Sequence, residues 1–160
     1  MIFLVALLLA SPVGAQTFSG VASVIDGDTI EIHGERIRIH GVDAPESWQV
    51  CLKADSVKYR CGQQSAFALD DFLKARRPVT CHQTERDRYS RVVGRCTAGG
   101  KDVAVWLVEN GHALDWPRYS SGEYSEAQKR ARTSKQGMWQ GQFQLPWERR
   151  QDKEAAWVGS

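Results

Sequence analysis

Between Val24 and Glu46 the chain reads VIDGDTIEIHGERIRIHGVDAPE, a stretch that few folds accommodate. Val24, Ile25 and Ile30 flank Asp26-Gly27, a dipeptide suited to a type I′ turn because both central residues need positive φ. Ile30 and Ile32, then Ile37 and Ile39, alternate with polar residues around a second turn signal, His33-Gly34. Two successive hairpins are expected. The third strand runs from Arg36 to His40 and breaks at Gly41. Pro45 holds Ala44 extended, so the chain must turn beside Asp43 and Glu46. Asp28 follows the first turn, and these three acids therefore gather with Arg38 around adjacent strand ends.

Such a grouping has chemical uses. Aspartates at turns are hard oxygen ligands for Ca²⁺ or Mg²⁺, and a backbone carbonyl beside Pro45 adds another. An arginine on the neighbouring strand can clamp a phosphate through two N–H donors. A nearby glutamate can take a proton from water. Taken singly, Asp-Gly is the commonest hairpin turn and Arg38 a solvent-facing strand residue. Strict alternation also puts Arg38 and Asp43 on opposite faces, so their convergence requires a bulge, with Gly41 the expected place.

A second stretch, Glu85-Arg86-Asp87-Arg88-Tyr89-Ser90-Arg91, sets three arginines and a tyrosine between two predicted strands. On charge alone it reads as a solvated hairpin. Together, Asp-Gly-Asp-Thr at 26–29, Arg-x-x-x-x-Asp-x-Pro-Glu at 38–46 and Asp-Arg-Tyr-Ser-Arg at 87–91 resemble the staphylococcal nuclease (thermonuclease) family, over about Phe18 to Trp139.

The resemblance implies a Ca²⁺-dependent nuclease acting on DNA and RNA, breaking the bond to the 5′-oxygen and leaving a 3′-phosphate. It implies metal ligation by Asp28, Asp43 and the backbone carbonyl of Ala44, where the family usually has threonine. Glu46 would orient or deprotonate the attacking water, while Arg38 and Arg91 would stabilise charge on the five-coordinate phosphorus and its leaving oxygen. Arg88 and Tyr89 stand at phosphate-contacting positions, Arg88 where the best-known member has lysine. Trp116, Arg118 and Tyr119 are candidates for stacking a base and holding a phosphate. Trp116 suits the core equally well. Tyr119 matches a nucleotide-contacting tyrosine, but its partner position holds Pro117.

The remaining sequence supplies the scaffold. A helix is expected over Gly62–Arg77, with Ala66, Leu69, Phe72 and Leu73 on one face and Phe67 off it. Strands follow over Val79–Gln83 and Val92–Ala98, then a helix capped by Asp102 and ended by Gly111, and a third from about Tyr124 to Lys135. The fold expected is α+β: a five-stranded OB-fold Greek-key β-barrel with three helices, which the resemblance independently implies. At 160 residues, 42% of them hydrophobic, the chain suits one compact domain, and a monomer is expected. That domain is placed at residues 16–145, with a charged, partly helical tail over 146–160. A net charge of +2 permits a polyanionic partner without arguing for one.

Residues 1–15, MIFLVALLLASPVGA, resemble the apolar region and small-residue cleavage site of a signal peptide, although no basic segment precedes them. The apolar run is too short to span a bilayer as a helix. Export is expected, to the periplasm or the medium, with no stable membrane association after processing. Cys51, Cys61, Cys81 and Cys96 then suggest two disulfides. Of three pairings, Cys51–Cys61, which closes one loop, and Cys81–Cys96, which joins two predicted neighbouring strands, are favoured. Free thiols are expected if the chain stays in a reducing compartment. His33, His40, His82 and His112 fall on unrelated elements and read as structural or surface residues. Two other function classes compete: a catalytically inactive nucleic-acid or protein binding module, and an envelope structural protein with an accidental acid cluster. The first is expected to lose one of the acids or arginines, and all are present. The second leaves the arginine loop without a use.

Overall fold

Ile30, Ile32, Ile37 and Ile39 are all buried, and their alternation curls the first strands around a common core. The computed structural model describes residues 14–157, so the apolar segment at residues 1–13 lies outside the described residues. Strands β1 (Thr17–Gly20), β2 (Ala22–Asp26), β3 (Thr29–Ile32) and β4 (Glu35–Ile39) are followed by the two-residue strands β5 (Val42–Asp43), β6 (Cys51–Leu52) and β7 (Lys58–Tyr59). Helix α1 (Cys61–Lys74) leads to the long hairpin β8 (Val79–Arg86) and β9 (Val92–Ala98). Then come β10 (Lys101–Asp102), α2 (Val103–Glu109), β11 (Leu114–Asp115), α3 (Pro117–Ser120), α4 (Ser125–Thr133), a 3₁₀ turn (Gly137–Gln140) and α5 (Pro146–Trp157).

The main sheet has seven strands rather than five, in the order β1-β8-β9-β4-β3-β2 with β10 paired to β9. β4 and β9 run parallel, with Arg38 opposite Val93, and every other pairing in this sheet is antiparallel. The resulting half-barrel closes over Leu69, Phe72 and Leu73 of α1 and Leu107 and Val108 of α2. Asp102 caps α2 by accepting a hydrogen bond from the Val105 N–H at 2.9 Å. Phe67, on the outer face of α1, is 66% exposed. Beside the three helices expected in the domain stands α3, a single turn begun by Pro117, and the tail expected to be partly helical forms α5, begun by Pro146. No helix among the described residues is long and apolar enough to cross a membrane.

The first hairpin differs from the sequence reading. Asp26 pairs with Thr29, so the turn residues are Gly27 and Asp28 rather than Asp26 and Gly27. A register shift between Val24 and Asp26 absorbs the extra residue. The second turn is as expected, with positive φ at both His33 and Gly34. The segment after Glu46 contains the β6–β7 pair. Both disulfides join the favoured partners, Cys51 to Cys61 and Cys81 to Cys96. The second lies across directly paired strand positions.

Candidate active site

The end of β4 determines where the acids go. His40 and Gly41 break the strand, and Gly41 takes φ +71°. A side chain there is strained by the left-handed backbone and would also meet Ser120 Cβ at 2.9 Å. This turn, in place of the expected bulge, reverses the alternation and brings Arg38 and Asp43 to one place. β5 then pairs with β11, Asp43 opposite Leu114, and the Trp116 N–H donates to the Gly41 carbonyl at 3.0 Å. Trp116 is thereby delivered beside the acids.

Arg38 Nη2 donates to Asp28 Oδ2 at 3.1 Å and to Asp43 Oδ1 at 2.7 Å. Asp28 Oδ2 also accepts from the Ala44 N–H at 2.9 Å, which ties the β2–β3 turn to the chain after β5. Asp43 is wholly buried and Asp28 nearly so. Burial, then the Asp28 carboxylate, push Asp43 up to about 6, against the downward pull of two guanidinium groups. Burial and Asp28 likewise raise Asp26 to about 6.

Glu46 is fixed from below. Gly62, at the start of α1, lies so close that a Cβ there would stand 1.7 Å from the Glu46 carbonyl oxygen. Gln49 is buried; its Oε1 accepts from the Glu46 N–H at 3.3 Å and its Nε2 donates to the Gln144 carbonyl at 2.8 Å. The Cys51–Cys61 bridge closes the loop between these two anchors. Gln49 and Gly62 were not legible as site-building residues, since the Gln49–Gln144 bond and the approach of Gly62 to Glu46 join segments that only the fold brings together.

A cleft of about 740 Å³ opens over this cluster and is walled by the β8–β9 loop on one side and α3 and α5 on the other. Arg91, Arg88 and Tyr89 line the first wall. Arg91 does not join the acid cluster directly: its Nε donates to Asp87 Oδ2 at 2.7 Å, within its own loop. Arg88 and Arg91 both lie over the Tyr89 ring, at 4.9 and 5.6 Å, and Tyr89 is 65% exposed. On the other wall Trp116 meets Tyr119 edge to face at 4.5 Å, with Arg118 over the Tyr119 ring at 5.7 Å. Trp116 is therefore a cleft residue rather than a core one. None of the four histidines lines the cleft.

The tail also reaches the cleft, which no sequence expectation covered. Arg150, on α5, donates from Nη1 to Glu46 Oε1 at 2.7 Å and to Asp43 Oδ1 at 3.1 Å, and from Nη2 to Asp43 Oδ2 at 2.9 Å. These carboxylates raise its already high pKa further, against burial, so it is always charged. Trp147, one turn earlier, lies nearly parallel to Trp116 with centroids 5.8 Å apart.

Comparison with known proteins decides the lineage. The family model described as staphylococcal nuclease homologue matches residues 36–141. The chain belongs to this family. It is 52% identical over 141 residues to the succinoglycan biosynthesis protein ExoI of Rhizobium meliloti (strain 1021), covering 87% of this chain and 74% of that one. It is 31% identical to an uncharacterized endonuclease of Escherichia coli over 150 residues, 89% of this chain and 91% of that one. It is 30% identical to a micrococcal nuclease of Shigella flexneri over 169 residues, 94% of this chain and 91% of that one. Membership in the staphylococcal nuclease family accounts for the OB-type sheet and supports hydrolytic activity on nucleic acids.

No group of three or more metal-binding side chains occurs among the described residues. The residues that the resemblance assigns to a cation, Asp28, Asp43 and the Ala44 carbonyl, would offer it oxygen donors alone, a chemistry of hard cations such as Ca²⁺ rather than of thiophilic metals.

Proposed function

We propose that this chain is an exported Ca²⁺-dependent nuclease that hydrolyses phosphodiester bonds of DNA and RNA and leaves 3′-phosphate ends. The observation that carries the proposal is the single guanidinium of Arg38 bonded to both Asp28 and Asp43, beside Glu46, in a cleft lined with arginines and aromatic rings. Asp28, Asp43 and the Ala44 carbonyl would hold the cation. Ca²⁺ there supplies positive charge to a phosphoryl oxygen.

The rest of the chemistry belongs to the chain. Glu46 accepts a proton from water as the water oxygen bonds to phosphorus. The bond from phosphorus to the 5′-oxygen breaks, and that oxygen leaves as an alcohol after taking up a proton. Arg38 spends only Nη2 on the carboxylates, and a guanidinium carries five N–H donors. Its Nε and Nη1 donors remain for the phosphate, where charge develops in the transition state. Arg91 would act from the opposite wall. Trp116 and Tyr119 would stack bases, with Arg88, Tyr89 and Arg118 steering the backbone.

End-group analysis of partial digests tests this reading. Fragments of DNA and RNA should carry 3′-phosphate and 5′-hydroxyl ends. Fragments ending in 5′-phosphate would refute the direction of attack assigned to Glu46.

A further inference from the structure

The strongest unexplained contact in the cleft is the clamp that α5 places on the acids. All three bonds from Arg150 end on carboxylate oxygens that the proposed reaction needs, both oxygens of Asp43 and one of Glu46. Asp43 Oδ1 already accepts from Arg38, so with Arg150 in place both of its oxygens are occupied by N–H donors. A cation that takes an Asp43 oxygen must displace one of these donors.

The helix that carries Arg150 is held independently of these bonds. Leu145 and Trp147 pack on the cluster formed by Cys51, Cys61, Leu114 and Met138. The Gln144 carbonyl is bonded to Gln49, and Arg149 lies over the Trp48 ring at 5.3 Å. Arg150 itself keeps a 29% exposed side chain at the end of this platform. Its guanidinium, 5.2 Å from the Trp116 ring centroid, faces the cleft in which a phosphate backbone would lie. It can therefore leave the acids without unseating the helix.

Resting on the metal assignment above, we propose that Arg150 is an internal competitor of the divalent cation at Asp43: its guanidinium is displaced when the cation binds and is then free to contact the substrate phosphate. Arg150 would thus set the cation concentration at which the site fills. It would also link filling to the arrival of a polyanion that gives the displaced guanidinium a new partner.

Calorimetric titration of the protein with Ca²⁺, without nucleic acid and in phosphate-free buffer, tests this. Arg150→Ala should bind Ca²⁺ at least about tenfold more tightly than the unmodified protein. Arg150→Lys, which keeps the charge but loses the two-nitrogen fork, should fall between them. Arg150→Gln fills most of the same space without charge and serves if the alanine variant fails to fold. Equal or weaker Ca²⁺ binding in the folded, uncharged variant would overturn the competition while leaving the metal site intact. No Ca²⁺ binding in either protein would overturn the metal assignment itself, and the competition with it.

Discussion

Glu46→Gln is expected to lower kcat by about 10²–10⁴-fold, the usual worth of a positioned proton acceptor. The substitution keeps the volume and the ability to bond, so the loop fixed by Gly62 and Gln49 should hold its course. Only the capacity to accept a proton from water is removed. The loss should therefore appear in kcat and kcat/KM together, with nucleotide affinity nearly unchanged. A variant that turns over at the normal rate would reduce Glu46 to a partner of Arg150.

Arg38→Lys should cost about 10²–10³-fold in kcat, roughly 3 kcal/mol of transition-state stabilisation. Arg38 performs two tasks that a lysine cannot combine. One nitrogen bridges Asp28 and Asp43, while the remaining face of the guanidinium presents donors to a phosphate. A lysine ammonium can replace the bridge but offers no planar fork. Kinetics and melting separate the tasks: a kcat loss with a near-normal Tm isolates the phosphate contact. A fall in Tm with unchanged kcat would show that Arg38 serves only to neutralise two buried acids.

How much of this could be read beforehand depended on whether the signal was local. Ile30, Ile32, Ile37 and Ile39 announced the sheet because alternation is a property of neighbouring residues. The Asp102 cap and the His33-Gly34 turn were legible for the same reason. The first turn shifted by one residue because tertiary contact outweighed turn chemistry at Gly27. A Cβ there would meet Ala44 Cβ at 2.7 Å, so glycine serves close approach rather than positive φ. The meeting of Arg38 and Asp43 depended on the backbone at Gly41, which a sequence marks as permissive but not as a turn. The arginine loop could be located, yet the bond that holds Arg91 to Asp87 sets it apart from the acids.

The clamp by Arg150 had no local signature at all. The tail over 146–160 reads as charged and partly helical, with Pro146 opening its first turn. Nothing in that turn names Glu46 and Asp43, 104 and 107 residues earlier. Their meeting follows from the packing of Leu145 and Trp147 beside the Cys51–Cys61 bridge. Long-range polar contacts of this kind become visible only once the core has placed both elements.

Digestion of plasmid DNA by the purified chain, with Ca²⁺, with a calcium chelator, and with Ca²⁺ restored, bears most directly on the function of the cleft. Cleavage should proceed with Ca²⁺, cease in the chelator and resume on readdition, because the Asp28–Asp43 pair has only oxygen donors to offer and charge to neutralise. Undiminished cleavage in the chelator would contradict the assignment of those aspartates to a cation.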